Sequence, residues 1–191
     1  MKKVLALFSA AIVLYSAAGC SLMTFNSTST ETGTLAQQSD ESYNAENNNS
    51  TEADSIKPGH YIQNEKFKFS FVKAKQYDEI VKNEYFTDTP ADGKKYLLMF
   101  FEVENVSGKD QYVNYLYFKG YEDDYAVDMD YLFSDIDGYS TLTGNLSDGK
   151  KLKGFIAYEV NQGWKNFDLE YKEIGNNEPL KFNVTPNDLS K

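Results

Sequence analysis

The chain has 191 residues, with 19 basic and 29 acidic side chains and a formal charge of −10, and every basic residue is a lysine. A single histidine and a single cysteine exclude His/Cys zinc sites, disulfide frameworks and Cys-His nucleophilic pairs. An acidic chain without arginine also lacks the bidentate forks that grip phosphate and guanine, which argues against a nucleic-acid partner.

Met1-Lys2-Lys3 supplies a short positive region, and Val4 to Ala18 forms an apolar run of 15 residues interrupted only by Ser9, Tyr15 and Ser16. A conventional membrane-spanning helix needs about 20 residues, so the run reads as a secretory signal peptide over residues 1–19. It ends in Ala17-Ala18-Gly19-Cys20, which resembles the lipobox of bacterial lipoproteins, with Ala17 where that motif most often has leucine. The resemblance implies that Cys20 is acylated with fatty acid such as palmitate and becomes the mature N-terminus, which places the protein lipid-anchored on the extracytoplasmic face of the cell membrane. Cleavage by the ordinary signal peptidase is the alternative. An unpaired secreted cysteine would then need another explanation. Removal of residues 1–19 leaves 17 lysines against 29 acids, a mature charge of −12.

Residues 21–55 are rich in Ser, Thr, Asn and Gln, carry six acids (Glu31, Asp40, Glu41, Glu46, Glu52, Asp54) and contain no lysine. Such a composition cannot bury enough apolar surface to offset the entropy of ordering, and it predicts a disordered tether. From residue 56 to residue 191 the pattern changes to one domain, long enough to bury a core without staples. Phe67, Phe69 and Phe71 alternate with Lys66, Lys68 and Ser70, as in a half-buried strand. Tyr96 to Phe101 is apolar on both faces, as in a central strand. A turn at Val106–Asp110 leads to a third strand through Gln111–Tyr121, and Glu122-Asp123-Asp124 reads as a hairpin turn into Tyr125, Val127 and Met129. Later strands are expected at Leu152–Val160, Trp164–Tyr171 and Leu180–Val184. Lys75–Asn83 alone has helical spacing. About seven short strands separated by turn signals predict an all-β, antiparallel sandwich.

Two segments carry a family resemblance. Lys94-Lys95-Tyr96-Leu97-Leu98-Met99-Phe100-Phe101-Glu102-Val103-Glu104-Asn105, and Asp148-Gly149-Lys150-Lys151-Leu152-Lys153-Gly154-Phe155-Ile156, resemble DUF4352, a family of bacterial extracellular proteins, and also the related family DUF5067. The resemblance implies an immunoglobulin-like sandwich, often behind a lipobox and a low-complexity tether. The first segment would be a core strand ending in an asparagine at a turn. The second would be a strand of pattern pG-x-x-x-x-G, with Asp148 where proline is frequent. No catalytic residues come with it.

Candidate chemistry within the domain is sparse. Glu122, Asp123, Asp124, Asp128, Asp130, Asp135 and Asp137 form an acidic segment without lysine, and Asp128, Asp130, Asp135 and Asp137 could supply oxygen ligands to calcium, although a solvated acidic edge and hairpin turn is the favoured reading. The spacing does not fit an EF-hand. Tyr112, Tyr115, Tyr117, Tyr121, Tyr125, Tyr131 and Tyr139 could form an exposed binding surface or simply fill strands. Ser70-Phe71-Val72-Lys73 and Ser147-Asp148-Gly149-Lys150 match S-x-x-K, but three-residue spacing on a strand sends Ser70 and Lys73 to opposite faces. His60 beside Pro58-Gly59 reads as solvated. These features point to a non-enzymatic binding module at the bacterial cell envelope, with no cofactor, no metal site, and a protein or cell-wall ligand as partner. The alternative is a solute- or calcium-binding lipoprotein using residues 122–137. An envelope hydrolase has the least support.

Overall fold

The computed structural model describes residues 30–35, 55–132, 134–175 and 178–191. In chain order the strands are β1 (Glu31–Thr34), β2 (His60–Gln63), β3 (Phe67–Tyr77), β4 (Ile80–Asn83), β5 (Phe86–Asp88), β6 (Lys94–Asn105), β7 (Gln111–Val113) and β8 (Phe118–Glu122). They continue as β9 (Tyr125–Val127), β10 (Met129–Asp130), β11 (Ser140–Thr141), β12 (Gly144–Leu146), β13 (Lys151–Asn161), β14 (Phe167–Tyr171) and β15 (Leu180–Val184). The fold is an all-β, immunoglobulin-like sandwich. Its large sheet runs β1-β2-β3-β6-β13-β10, with β11 adding a short parallel pairing to β13. Its small sheet runs β15-β14-β8-β9, and β4–β5 and β7–β12 pair separately.

Alternation decides what lies between the sheets. Phe69 and Phe71 of β3, Leu97, Met99, Phe101 and Val103 of β6, and Ile156, Tyr158 and Val160 of β13 face Phe118, Phe167, Leu169, Tyr171 and Phe182 of the small sheet. Aromatic rings dominate this core, with Phe101 stacked on Phe71 at 5.0 Å and edge-on to Phe182 at 5.1 Å between centroids. Ile56 closes one edge, donating its N–H to Lys181 and accepting from Asn183.

The opposite side chains of β6 and β13 are apolar too, and the poorly patterned stretch after β9 explains why. Leu132, Ile136 and Ile80 cover Tyr96, Leu98, Phe100, Phe155 and Ala157 in a second, outer core, with Tyr77 and Tyr139 packed against it. The segment from β10 to β11 is therefore a strap across the outer face of the large sheet. Past the strap, Leu142 crosses Gly154 so closely that a Cβ there would stand 2.6 Å from the Leu142 Cα. That contact is why the sixth position of the Gly149–Gly154 pattern must be glycine.

Three expectations need correction. Lys75–Asn83 is not helical: Lys75–Tyr77 completes β3 and Ile80–Asn83 is β4. The strand expected over Gln111–Tyr121 is split by a turn of 3-10 helix at Tyr115–Tyr117, so that β7 pairs with β12 while β8 joins the small sheet. Asn114 caps that turn, accepting from the Leu116 N–H at 3.0 Å, and local capping breaks an otherwise continuous apolar run. Finally, Glu31–Thr34, inside the stretch read as tether, forms β1 on the edge of β2. The pairing is non-local, and composition carries no trace of it.

Candidate interaction surface

The acidic segment is structural. Glu122 is buried and accepts from both the backbone and the side-chain N–H of Asn161 at 3.0 and 2.9 Å. Asp123 accepts from the backbone of Lys165 and Asn166. Asp130 lies in β10 against Ala157, where burial, and then the nearby Glu159, push its carboxyl up. Asp137 and Gly138 both take left-handed backbone in the two-residue turn that reverses the strap between Ile136 and Tyr139. Asp124, Asp128 and Asp135 stay exposed. Among the described residues, no three acidic or histidine side chains gather as a cation would need, and Asp128, Asp130, Asp135 and Asp137 do not converge. The calcium reading is thereby corrected: Asp137 shapes a turn and pairs with lysines, Asp130 lies in β10, and Asp128 and Asp135 face solvent.

Those lysines come from a bulge. The register of β3 against β6 shifts between Phe71 and Lys73, so that the inward face passes from Phe67, Phe69 and Phe71 to Ala74. Lys73 and Lys75 consequently point outward, and both pair with Asp137, at 2.7 and 3.2 Å. The bulge also overturns the parity argument for Ser70 and Lys73, which share the outer face. Lys73 there is an ion-pair partner, 4.7 Å from the centroid of the Phe100 ring. Lys73 and then Lys75 hold the Asp137 carboxyl below its ordinary range. A depressed carboxylate stabilises the fold above its unfolded pKa, and that contribution is lost as the pH falls through the folded value. Asp137→Asn is therefore expected to cost about 0.5–1 kcal/mol at neutral pH and nothing in acid, where the wild-type group is protonated. Urea melts at several pH values would check this, and an unchanged difference in acid would refute it.

The tyrosines do not act as one group. Tyr117 packs on Tyr171, and Tyr139 on Phe100 at 5.2 Å. Tyr115 meets Tyr131 edge-on at 5.1 Å, Tyr112 bonds Thr143 through its hydroxyl at 3.0 Å, and Tyr125 stands 79% exposed beside the β8–β9 turn. His60 is exposed on β2, its Nδ1 3.3 Å from the Pro58 carbonyl oxygen. Cys20 lies outside the described residues.

A group of exposed apolar side chains begins in the stretch expected to be helical and continues past its end. In the β4–β5 hairpin Val81 is 65% exposed, Tyr85 80% and Phe86 65%. Asn83 shapes the tip, its Oδ1 accepting from the backbone N–H of Tyr85 and Phe86 at 2.9 and 3.1 Å. Ile80 anchors the base in the outer core, and the Lys82–Asp88 and Lys95–Asp78 pairs flank it. Asn83-Glu84 between the apolar pairs Ile80-Val81 and Tyr85-Phe86 was the available signal, masked because one bulged residue between Val81 and Asn83 breaks strand alternation. Glu84 is exposed at the tip and Glu79 at the base. The hairpin thus presents exposed apolar area with one acidic residue at its tip.

The two quoted segments turn out to be bonded to one another. Asn105 donates its side-chain N–H groups to the carbonyls of Lys109 and Leu146 at 2.6 and 2.8 Å, and accepts from the N–H and hydroxyl of Ser107. Its backbone exchanges bonds with Gly149 and Lys150, and Asp148 accepts from the Gly108 N–H at 2.8 Å. The model of the domain of unknown function DUF4352 matches residues 57–181. The chain belongs to the DUF4352 family.

The chain is similar to several solved structures. The ycdA protein of Bacillus subtilis, a "putative lipoprotein", is 16% identical with a TM-score of 0.50, the match covering 65% of this chain and 38% of that one. The yjhA protein of the same organism is 18% identical with a TM-score of 0.49, over 68% of this chain and 98% of that one. A β-sandwich protein of Clostridium difficile is 10% identical with a TM-score of 0.46, over 73% and 99%. No curated protein matches the chain. For this DUF4352 member, the family motifs hold turns and sheets together and leave the hairpin outside them. No helix among the described residues is long and apolar enough to cross a membrane.

Proposed function

We propose that this DUF4352 protein is a non-enzymatic interaction module of the bacterial cell envelope, anchored through lipid on Cys20 and binding an envelope protein through the β4–β5 hairpin. The exposure of Val81, Tyr85 and Phe86 on a hairpin that only Ile80 ties to the core carries the reading, because aromatic side chains held in water are suited to an interface centre. The lipobox-like Ala17-Ala18-Gly19-Cys20 and the lipoprotein description of ycdA support the anchor. Tyr85→Ser with Phe86→Ser should change stability by no more than about 0.5 kcal/mol, since both side chains are exposed. The same pair should abolish adducts formed in cells from a photo-crosslinker at position 81. Adducts of unchanged yield would refute the hairpin as the surface. Cys20→Ala should end fatty-acid incorporation and release the protein from the membrane, and continued labelling would refute the anchor.

A further inference from the structure

β1 is joined to the domain in an unusual way. Its side chains are exposed or half-buried, none belongs to either core, and residues 36–54 separate Leu35 from the domain that resumes at Ser55. Main-chain pairing to β2, extended by the Leu35 N–H bonding the Gly59 carbonyl at 2.6 Å, holds it in place. One side-chain contact is specific. The Tyr61 ring lies across Gly33, so that a Cβ there would fall 2.3 Å from the Tyr61 Cε1 and 2.4 Å from its Cζ. Lys68 secures that ring from the neighbouring strand, its Nζ 3.9 Å from the centroid. An aromatic ring laid over a cross-strand glycine is a recognised pairing device on sheets.

We propose that Glu31–Thr34 is a detachable clasp, a strand that binds the β2 edge as a separable ligand, with Gly33 beneath Tyr61 as its recognition contact. A short ladder and one aromatic contact stand against the entropy of ordering four residues and closing the segment 36–54. Elements with so little buried surface open locally while the rest of a domain stays folded. Because the strand and its edge belong to one chain, closing the clasp is an intramolecular event. If the chain is anchored at Cys20 as proposed above, release leaves 35 residues instead of ten between the anchor and the first paired residue. The greatest span then grows from roughly 35 Å to roughly 120 Å.

Hydrogen exchange on the chain tests the clasp without any lipid, so loss of the anchor reading would leave this result standing. Amides of β1, and those of β2 facing it, should exchange at least 100-fold faster than those of β6. Gly33→Val should speed the β2 amides a further tenfold or more, because valine cannot sit beneath the ring, while β6 and β13 stay within twofold. Adding Tyr61→Ala to Gly33→Val should restore protection to β2 by making room for the valine. Acceleration of β6 together with β2 would show β1 to be part of the cooperative core and overturn the proposal. So would unchanged β2 exchange in Gly33→Val, or no recovery in the double variant.

Discussion

Phe101→Ala is expected to destabilise the domain by about 3–5 kcal/mol, the usual cost of emptying a fully buried aromatic site. Phe101 has no exposed surface, and its ring contacts Phe71, Phe182, Phe118 and Phe69 at centroid separations of 5.0, 5.1, 6.0 and 6.4 Å. Those partners come from β3, β8 and β15, so the ring joins both sheets and the cavity has no single neighbour able to fill it. Domains of this kind have about 5–15 kcal/mol in total, which makes the loss visible as a fall in Tm on the order of 10–20 °C. Leu116→Ala, at a position 61% exposed, should change stability by no more than about 0.5 kcal/mol. Calorimetry of the two variants would decide it, and a Phe101→Ala loss below about 1 kcal/mol would mean that the inter-sheet core is not packed as described.

Asn105→Leu should cost about 2–4 kcal/mol, although it makes the site more apolar. The Leu146 carbonyl and the N–H of Ser107 would lose the bonds Asn105 makes at a site with no solvent exposure, while the Lys109 carbonyl keeps the Ser107 hydroxyl at 2.9 Å, and orphaned buried groups cost about 1–3 kcal/mol each when water cannot reach them. Asn105→Asp is the sharper test. It keeps the shape and the acceptor for Ser107 but turns two donors into acceptors that face carbonyl oxygens. It should be no better than leucine at neutral pH and should recover partly in acid, where the protonated carboxyl regains one donor. If Asn105→Asp matched the wild type in urea melts at neutral pH, the donated bonds would not be what locks the two turns.

These sites differ in how far local sequence could reveal them. Alternation over Phe67–Phe71 exposes a strand because a pleated chain sends successive side chains to opposite faces. The asparagine at the end of β6 and the Gly149–Gly154 spacing were legible as a family pattern, but their bonding to one another required the two turns to meet. The β4–β5 hairpin was obscured by its bulge, and the strap by its irregular backbone. Seven carboxylates in one segment suggested a ligand set, yet four of them are engaged in caps, turns, pairing to β13 or ion pairs. Charge composition records how many acids are present and nothing of which donors meet them.

The all-β class, the central position of β6, the last strand at Leu180–Val184 and the membership in DUF4352 were legible in the residues alone, because each rests on local periodicity or a contiguous motif. Long-range packing was needed to show that a strap covers the outer face of β6, that a bulge turns Lys73 and Lys75 toward Asp137, that the chain changes sheets at Tyr115–Tyr117, and that Glu31–Thr34 pairs with β2. The physical reason is common to all four. Periodicity states which face of a strand is apolar, whereas the group that covers that face, or bonds that edge, comes from residues far away in the chain.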